Sequence, residues 1–404
     1  SAYRNASINA PISLSGSTAV LNIYANAASA ASYTTAGSGS GGIAINAPVT
    51  VSGAQGAVNL NATAIPDISE TGLTFGYGGK INFTAYDNQN GLPTGSLIIN
   101  GNPYTLYRTL SQLDALDGDD ASKLLITTAV SQINLGYIAL AEDIIASGTY
   151  YRALLGRNYE NAINGMYFDG LGHSISSLHI DNYTPVGGVA PESMNAGLFG
   201  FLQSGSIANL SLFNASVIGT STDGILAGEN LGIISGCYTS GSIINAANDF
   251  TNTGGLVGRH YGIIQNSGAN VDVSLTTAEL VYYDSKLGGL VGSLNDSGII
   301  THSFATGAVT TNNYTIFVGG LVGNVLSDID PLPSITNSYA TGFVSNGSDP
   351  LTSTNMFGLA PSGVATITNS WWDSSTTGVT GSVTSEGNLV NAGTARATSS
   401  ALGS

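Results

Sequence analysis

The chain has 404 residues, only 8% of them charged, and its formal net charge of -16 reflects a shortage of basic side chains, with Lys80, Lys123 and Lys286 the sole lysines. Nucleic acid is excluded as a partner because a phosphate backbone needs clustered Lys or Arg, and an acidic surface is repelled by anionic membranes. No apolar run reaches the roughly 18 residues that membrane insertion requires, and the single cysteine, Cys237, excludes an intramolecular disulfide framework.

Abundant Gly, Ala, Ser, Thr, Asn, Ile and Val favour short strands and tight turns over helices. The N-terminus, SAYRNASINAPI, lacks the basic and apolar regions of an export signal, so the chain reads as a fragment of a longer one whose signal peptide is removed or lies elsewhere. In residues 1–103, INAPI (Ile8 to Ile12) and INAPV (Ile45 to Val49) look like successive copies. LNIYA at Leu21, VNLNA at Val58, INFTA at Ile81 and LIING at Leu97 alternate with period two, separated by turn clusters such as Tyr86 to Gly95. The expectation is irregular β-helix coils.

Residues 104–195 break the pattern. Leu106, Leu110, Leu113 and Leu116 recur at three- or four-residue intervals, predicting a short amphipathic helical insertion near 106–132 with Thr105 as a cap. Ser122 to Ile133 reads as helix or as the start of a coil, Tyr137 to Ile145 as a strand, and Met166 to Ile180 as two strands joined at a Gly170 to Gly172 turn.

Residues 196–380 are organised by a repeat whose copies start near Gly197, Gly224, Gly254, Gly288, Gly319 and Met356, a period that signals a solenoid or propeller. One column holds Ile207, Ile234, Ile264, Ile300, Ile335 and Ile367, as an inward-facing stack needs. Two residues on, Asn209, Gly236, Asn266, His302, Asn337 and Asn369 are types that tolerate a left-handed backbone, so this column marks a bend. Then come a mostly small column (Leu210, Cys237, Ser267, Ser303, Ser338, Ser370) and a mostly aromatic one (Ser211, Tyr238, Gly268, Phe304, Tyr339, Trp371). The repeats are too short for four-stranded propeller blades, so the fold class is all-β, a parallel β-helix at roughly 20 to 30 residues per coil. Residues 381–404 read as a low-complexity tail or a last coil.

Gly288 to Val309 (GGLVGSLNDSGIITHSFATGAV) and Gly319 to Val344 resemble the GLUG motif of large secreted bacterial exoproteins, with a terminal variant at Thr368 to Val379. The stretch from Tyr104 through Ile180 resembles the segment preceding such repeats in filamentous-haemagglutinin-like, two-partner-secreted adhesins. The resemblance covers about residues 100 to 380. It implies a right-handed parallel β-helix, export through an outer-membrane secretion partner, and attachment at the cell surface.

Residues that could carry chemistry have structural readings beside the functional ones. Asp117, Asp119 and Asp120, with Asp114, form the densest acidic cluster and are weak metal candidates; their spacing does not match an EF-hand, and a solvated turn accounts for them. His173, His179, His260 and His302 show no metal-ligand spacing, and Cys237 sits where a small inward filler belongs. The Trp371–Trp372 pair could stack on sugar; Trp371 falls in the aromatic column as a packing residue, which leaves Trp372. No cofactor is implied.

Function in repeat folds sits on loops that interrupt the coils. The loop candidates for ligand binding are Tyr86, Asn88 and Asn90; Tyr183 and Glu192; Tyr282 and Tyr283; Asp328 and Asp330; and Trp372. The leading expectation is a monomeric, secreted or surface-exposed, non-enzymatic adhesin that attaches to a host cell-surface glycan or protein, or to biofilm matrix. The alternatives are a polysaccharide-active enzyme working along a β-helix groove and a surface protein that captures one host protein.

Overall fold

The computed structural model describes residues 5–25, 42–62, 72–118, 120–123, 132–186, 195–246, 251–276, 285–311, 317–327, 331–345, 356–360, 365–379 and 394–396. Short strands succeed one another around each coil and pair in parallel with their equivalents on the coils above and below, which is a parallel β-helix. In the N-terminal coils three faces are separate sheets. Ala6–Ile8, Ile43–Ile45 and Leu73–Phe75 form one; Ile12–Leu14, Val49–Val51 and Ile81–Phe83 the second; Val20–Tyr24, Ala57–Asn61 and Ser96–Ile99 the third. The INAPI and INAPV copies are in register, Ile8 opposite Ile45 and Ile12 opposite Val49.

Among the described residues the parallel stacking is broken by one antiparallel turn. Asn100 and Gly101 both take positive φ, 52° and 84°, and this two-residue turn folds Asn102–Tyr107 back antiparallel on Ser96–Ile99. Asn102–Tyr107 then pairs in parallel with Ile133–Leu140, which pairs with Ile163–Asp169, and the solenoid continues into Gly205–Ala208 and Ile233–Ser235. The expected short helical insertion is present, and of Ser122 to Ile133 the residues 124–131 lie outside the described ones. Leu106 lies in a strand, and among the described residues the helix covers Leu110–Asp114 and continues as a 3-10 turn over Ala115–Asp117, its first turn capped by the Thr109 hydroxyl, which accepts the Gln112 N–H at 3.2 Å. Leucines spaced by three or four satisfied the helical template, but Tyr104 and Leu106 are the two buried positions of a period-two strand.

In the repeats each column has one physical job. Ile207, Ile234, Ile264, Ile300, Ile335 and Ile367 are opposite one another in consecutive coils and all buried; burying each contributes about 1.5–3 kcal/mol. Their numbers show coils from 27 residues (Ile207 to Ile234) to 36 (Ile264 to Ile300), the upper end longer than expected. The bend column takes the left-handed conformation throughout: Asn209, Gly236, Asn266, His302, Asn337 and Asn369 have φ between 48° and 61°.

That bend turns a backbone N–H inward, and the small column satisfies it. The N–H of Ser267 donates to Ser303 Oγ, that of Ser303 to Ser338 Oγ, and that of Ser338 to Ser370 Oγ, at 3.1–3.3 Å. Each of these four hydroxyls donates to the carbonyl two residues earlier, at 2.7–2.9 Å. Cys237 belongs to the same relay, its N–H donating to Ser267 Oγ, and burial pushes its thiol up to about 12, so it stays protonated. The glycine pairs of the GGLVG strands reflect close approach, since a Cβ on Gly289 would overlap the Gly320 carbonyl of the next coil.

Candidate functional site

Where the N-terminal coils meet the repeats, their faces continue unequally. The Ile81–Phe83 strand is carried on, with the Ile81 N–H donating to the Leu171 carbonyl at 3.2 Å and the Phe83 N–H to Ala141 at 2.9 Å. The sheet of Ala6–Ile8, Ile43–Ile45 and Leu73–Phe75 instead ends, among the described residues, at its third strand. Beyond it opens a cleft of about 860 Å³. One wall is Leu73 to Lys80; the floor is the outer side of Gly205–Ala208 and Ile233–Ser235, with the bend residues Asn209, Gly236 and Asn266 at its edge.

Local sequence explains the wall. The strand runs into Gly76-Tyr77-Gly78-Gly79, where Gly78 has φ 81° and a Cβ on Gly79 would overlap the Ile45 carbonyl. A turn this tight pushes its one large side chain outward, and Tyr77 is fully exposed, at 105% relative accessibility. Across the cleft Phe213, 40% exposed, precedes Asn214, whose φ of 51° marks the irregularity in the strand register.

The floor is polar and anchored from beneath. Asn209 Nδ2 donates to both oxygens of Asp169, at 3.1 and 3.2 Å, and Leu171 N–H donates to the same carboxyl. Burial pushes Asp169 up to about 6. At the other end Lys80 pairs with Asp143, whose carboxylate also accepts the Ser174 N–H and hydroxyl. His173 leads in holding Asp143 well below the usual carboxylate range, with Lys80 and the Ser174 N–H adding to it; His173 Nδ1 lies 3.4 Å from Oδ1. Ser174, His173 and Asp143 do not form a nucleophile–base chain. The Ser174 hydroxyl bonds the carboxylate directly, and His173 Nε2 meets the Ile81 carbonyl at 2.9 Å.

The aromatic column leads away from the cleft. Phe213 lies 5.8 Å from Tyr238, Tyr238 6.3 Å from Phe304 across Gly268, Phe304 5.4 Å from Tyr339, and Tyr339 4.9 Å from Trp371. The last two pairs are within 10° of parallel, so these rings cover one another's faces and present edges to solvent. A ligand that stacks needs a ring face, and the cleft offers the fully exposed Tyr77 and the exposed part of Phe213 beside Tyr238.

The loop candidates fare unevenly. Tyr86 is exposed with the Arg108 guanidinium 4.0 Å over its ring, Asn88 is exposed, and Asn90 is engaged in its own turn, its Oδ1 accepting the Leu92 N–H. Tyr183 is exposed beside Asp181, which accepts its N–H. Trp372 is corrected: it is 3% exposed, its indole N–H donating to the Val379 carbonyl at 3.0 Å, while Trp371 faces outward, because successive strand residues alternate between faces. Asp117 is buried, and Asp120 accepts the N–H and hydroxyl of Ser122. Among the described residues no cluster of three or more His, Cys, Asp or Glu is placed to hold a metal ion. Asp119, Glu192, Tyr282, Tyr283, Asp328 and Asp330 lie outside the described residues. No helix among the described residues is long and apolar enough to cross a membrane.

The cleft residues escaped sequence reasoning because residues 73–80 and 206–236 are far apart in the chain. The one signal pointing to them was an aromatic residue set among the glycines of Gly76-Tyr77-Gly78-Gly79.

No protein-family model matches the chain, and no curated protein matches it. Among solved structures, that of a "putative immunoglobulin A1 protease" from Bacteroides ovatus is 20% identical, with a TM-score of 0.52, over 73% of this chain and 84% of that one. A second, named IgA1 protease, is 20% identical with a TM-score of 0.43, over 72% of this chain and 23% of that one. The first likeness establishes a shared fold and corrects one expectation. A non-enzymatic role was read from the lack of a recognisable catalytic pattern, yet the same fold is found in a protein bearing a protease's name, so that exclusion does not stand.

Proposed function

We propose that this chain is the rod-like, ligand-holding part of a secreted or surface-exposed bacterial protein that attaches to a host glycan or protein, or to matrix, through the cleft at the seam. The observation that carries the reading is the cleft itself: a fully exposed Tyr77 and a half-exposed Phe213 over a hydroxyl- and amide-lined floor, fixed on a stiff solenoid. The resemblance of Gly288 to Val309 to GLUG repeats supports export by two-partner secretion and an adhesin role. Beads coated with the chain should adhere to epithelial cells or extracellular matrix and be released by excess soluble chain. Beads carrying Tyr77→Ala with Phe213→Ala should adhere much less; equal adherence would count against the cleft.

A second reading is favoured by the shared fold with the Bacteroides ovatus protein. In it the chain belongs to a protease of the kind that protein is named for, and the seam holds the glycoprotein to be cut. Incubation with purified immunoglobulin A1, followed by electrophoresis, tests it: new fragments support the reading, and intact heavy chain at high enzyme ratio speaks against it.

A further inference from the structure

We propose that the cleft takes a short, neutral, unbranched oligosaccharide, stacked on Tyr77 and Phe213; this rests on the reading of the cleft as the attachment site. The volume, about 860 Å³, falls within the range of pockets for small ligands and is far below what a protein domain needs. A sugar ring offers an apolar C–H face and a rim of hydroxyls. The cleft offers matching partners, the fully exposed Tyr77 ring and the exposed part of Phe213 beside Tyr238, with the hydroxyls of Ser206 and Ser235 and the Asn209 amide on the floor. Asn209 is held for that role: with Nδ2 engaged by Asp169, its Oδ1 is fixed beside the Gly236 α-carbon as an acceptor at the floor.

Charge selects among glycans. The one cation in the lining, Lys80, is neutralised by Asp143, and the chain carries a net charge of -16, so a uronate, sialyl or sulfated chain meets repulsion without a compensating cation. Shape selects further. The floor follows successive coils along the rod, at a strand spacing of about 4.8 Å, close to the length of one sugar unit in an extended β-linked chain; a coiled α-linked chain leaves that line.

A peptide is the competing occupant, since the sheet ending at Leu73–Phe75 could accept a fourth strand. The Phe75 ring, however, packs against Gly172 at that edge, where a Cβ would sit 2.8 Å from it, so an added strand would have to displace it.

The test is calorimetric titration of the full chain with cello-oligosaccharides and chito-oligosaccharides of increasing length, with malto-oligosaccharides, hyaluronan oligomers and extended hexapeptides as competing probes. The expected result is binding of the neutral β-linked oligomers, strengthening with length until the cleft is filled. Tyr77→Ala should bind about tenfold more weakly with unchanged melting, and Asn209→Ala should lose affinity that Asn209→Gln partly restores. Preference for hyaluronan, maltose chains or peptides overturns the proposal, as does unaltered binding by Tyr77→Ala. If no neutral oligomer binds while beads still adhere through Tyr77 and Phe213, the glycan assignment falls and the attachment site stands; if the double variant adheres normally, both fall.

Discussion

The repeats from Ile207 to Trp371 and the N-terminal coils from Ile8 to Phe83 are built on the same solenoid, but they leave their side chains in different states. In the repeats almost every column is committed: isoleucines to the core, left-handed asparagines to the bend, serines to the hydroxyl relay, and aromatic rings to one another's faces. The N-terminal coils stack with fewer such devices, and at their end a glycine-bounded Tyr77 faces solvent with its ring unpartnered among the described aromatic contacts. Regularity therefore makes the rod, and the seam where the two styles meet holds the candidate site. Most repeat columns are structural, while the candidate site lies where the last N-terminal strand faces the outer side of the first repeats.

The comparison can be broken first through the core. Ile264→Ala with Ile300→Ala removes two neighbouring rungs of the inward stack and should cost on the order of 5 kcal/mol or more. Chemical denaturation followed by circular dichroism measures it, and a loss of under about 1 kcal/mol would show that the column does not hold the repeats together.

A buried carboxyl gives the next effect. Asp223 accepts N–H bonds from Ala196 and Ser221 and one from the Asn245 amide, and burial pushes it up to about 7. Its folded pKa exceeds its unfolded value of about 3.9, so its stabilising contribution is full below that value and is lost as pH rises through about 7. Asp169, raised to about 6, acts in the same sense, whereas burial pushes His260 down to about 4, and its contribution is lost as pH falls from about 6.5. The last two nearly offset, leaving a net decline on the order of 3 kcal/mol between about pH 4 and 7. Asp223→Asn should flatten that decline while lowering stability overall, because its amide brings a donor among donors. Stability profiles against pH check it; an unchanged slope would contradict the assignment.

Ser303→Ala should cost roughly 1–3 kcal/mol, since the Ser267 N–H loses its acceptor and the Thr301 carbonyl a donor. Ser303→Cys should cost less, as Cys237 occupies the same column. Thermal melting ranks the two, and the reverse order would show that the relay is incidental. The smallest stability effect belongs to Tyr77→Ala, within about 0.5 kcal/mol, because that ring is wholly exposed.

How much of this the chain revealed depends on range. The isoleucine and bend columns were legible because each coil repeats the same local demand, and φ values near 50° at Asn266, His302 and Asn337 answer it directly. The INAPI and INAPV register was legible for the same reason. The helix was misjudged at Leu106 because a three-to-four spacing of leucines fits both a helix and a strand running into a short helix. Trp372 was misjudged by one residue, which in a strand is the difference between core and solvent. The cleft was not legible, because its wall and floor come from coils that pairing brings together and no single segment carries both.

Bead adherence measured side by side for a seam variant, Tyr77→Ala with Phe213→Ala, and a ladder variant, Phe304→Ala, tests the central claim most directly. The seam variant should lose adherence and melt only slightly earlier, since Phe213 also touches Tyr238, while the ladder variant should melt clearly earlier and adhere normally below its transition. Loss of adherence by the ladder variant with full adherence by the seam variant would place the function in the repeats and contradict the account.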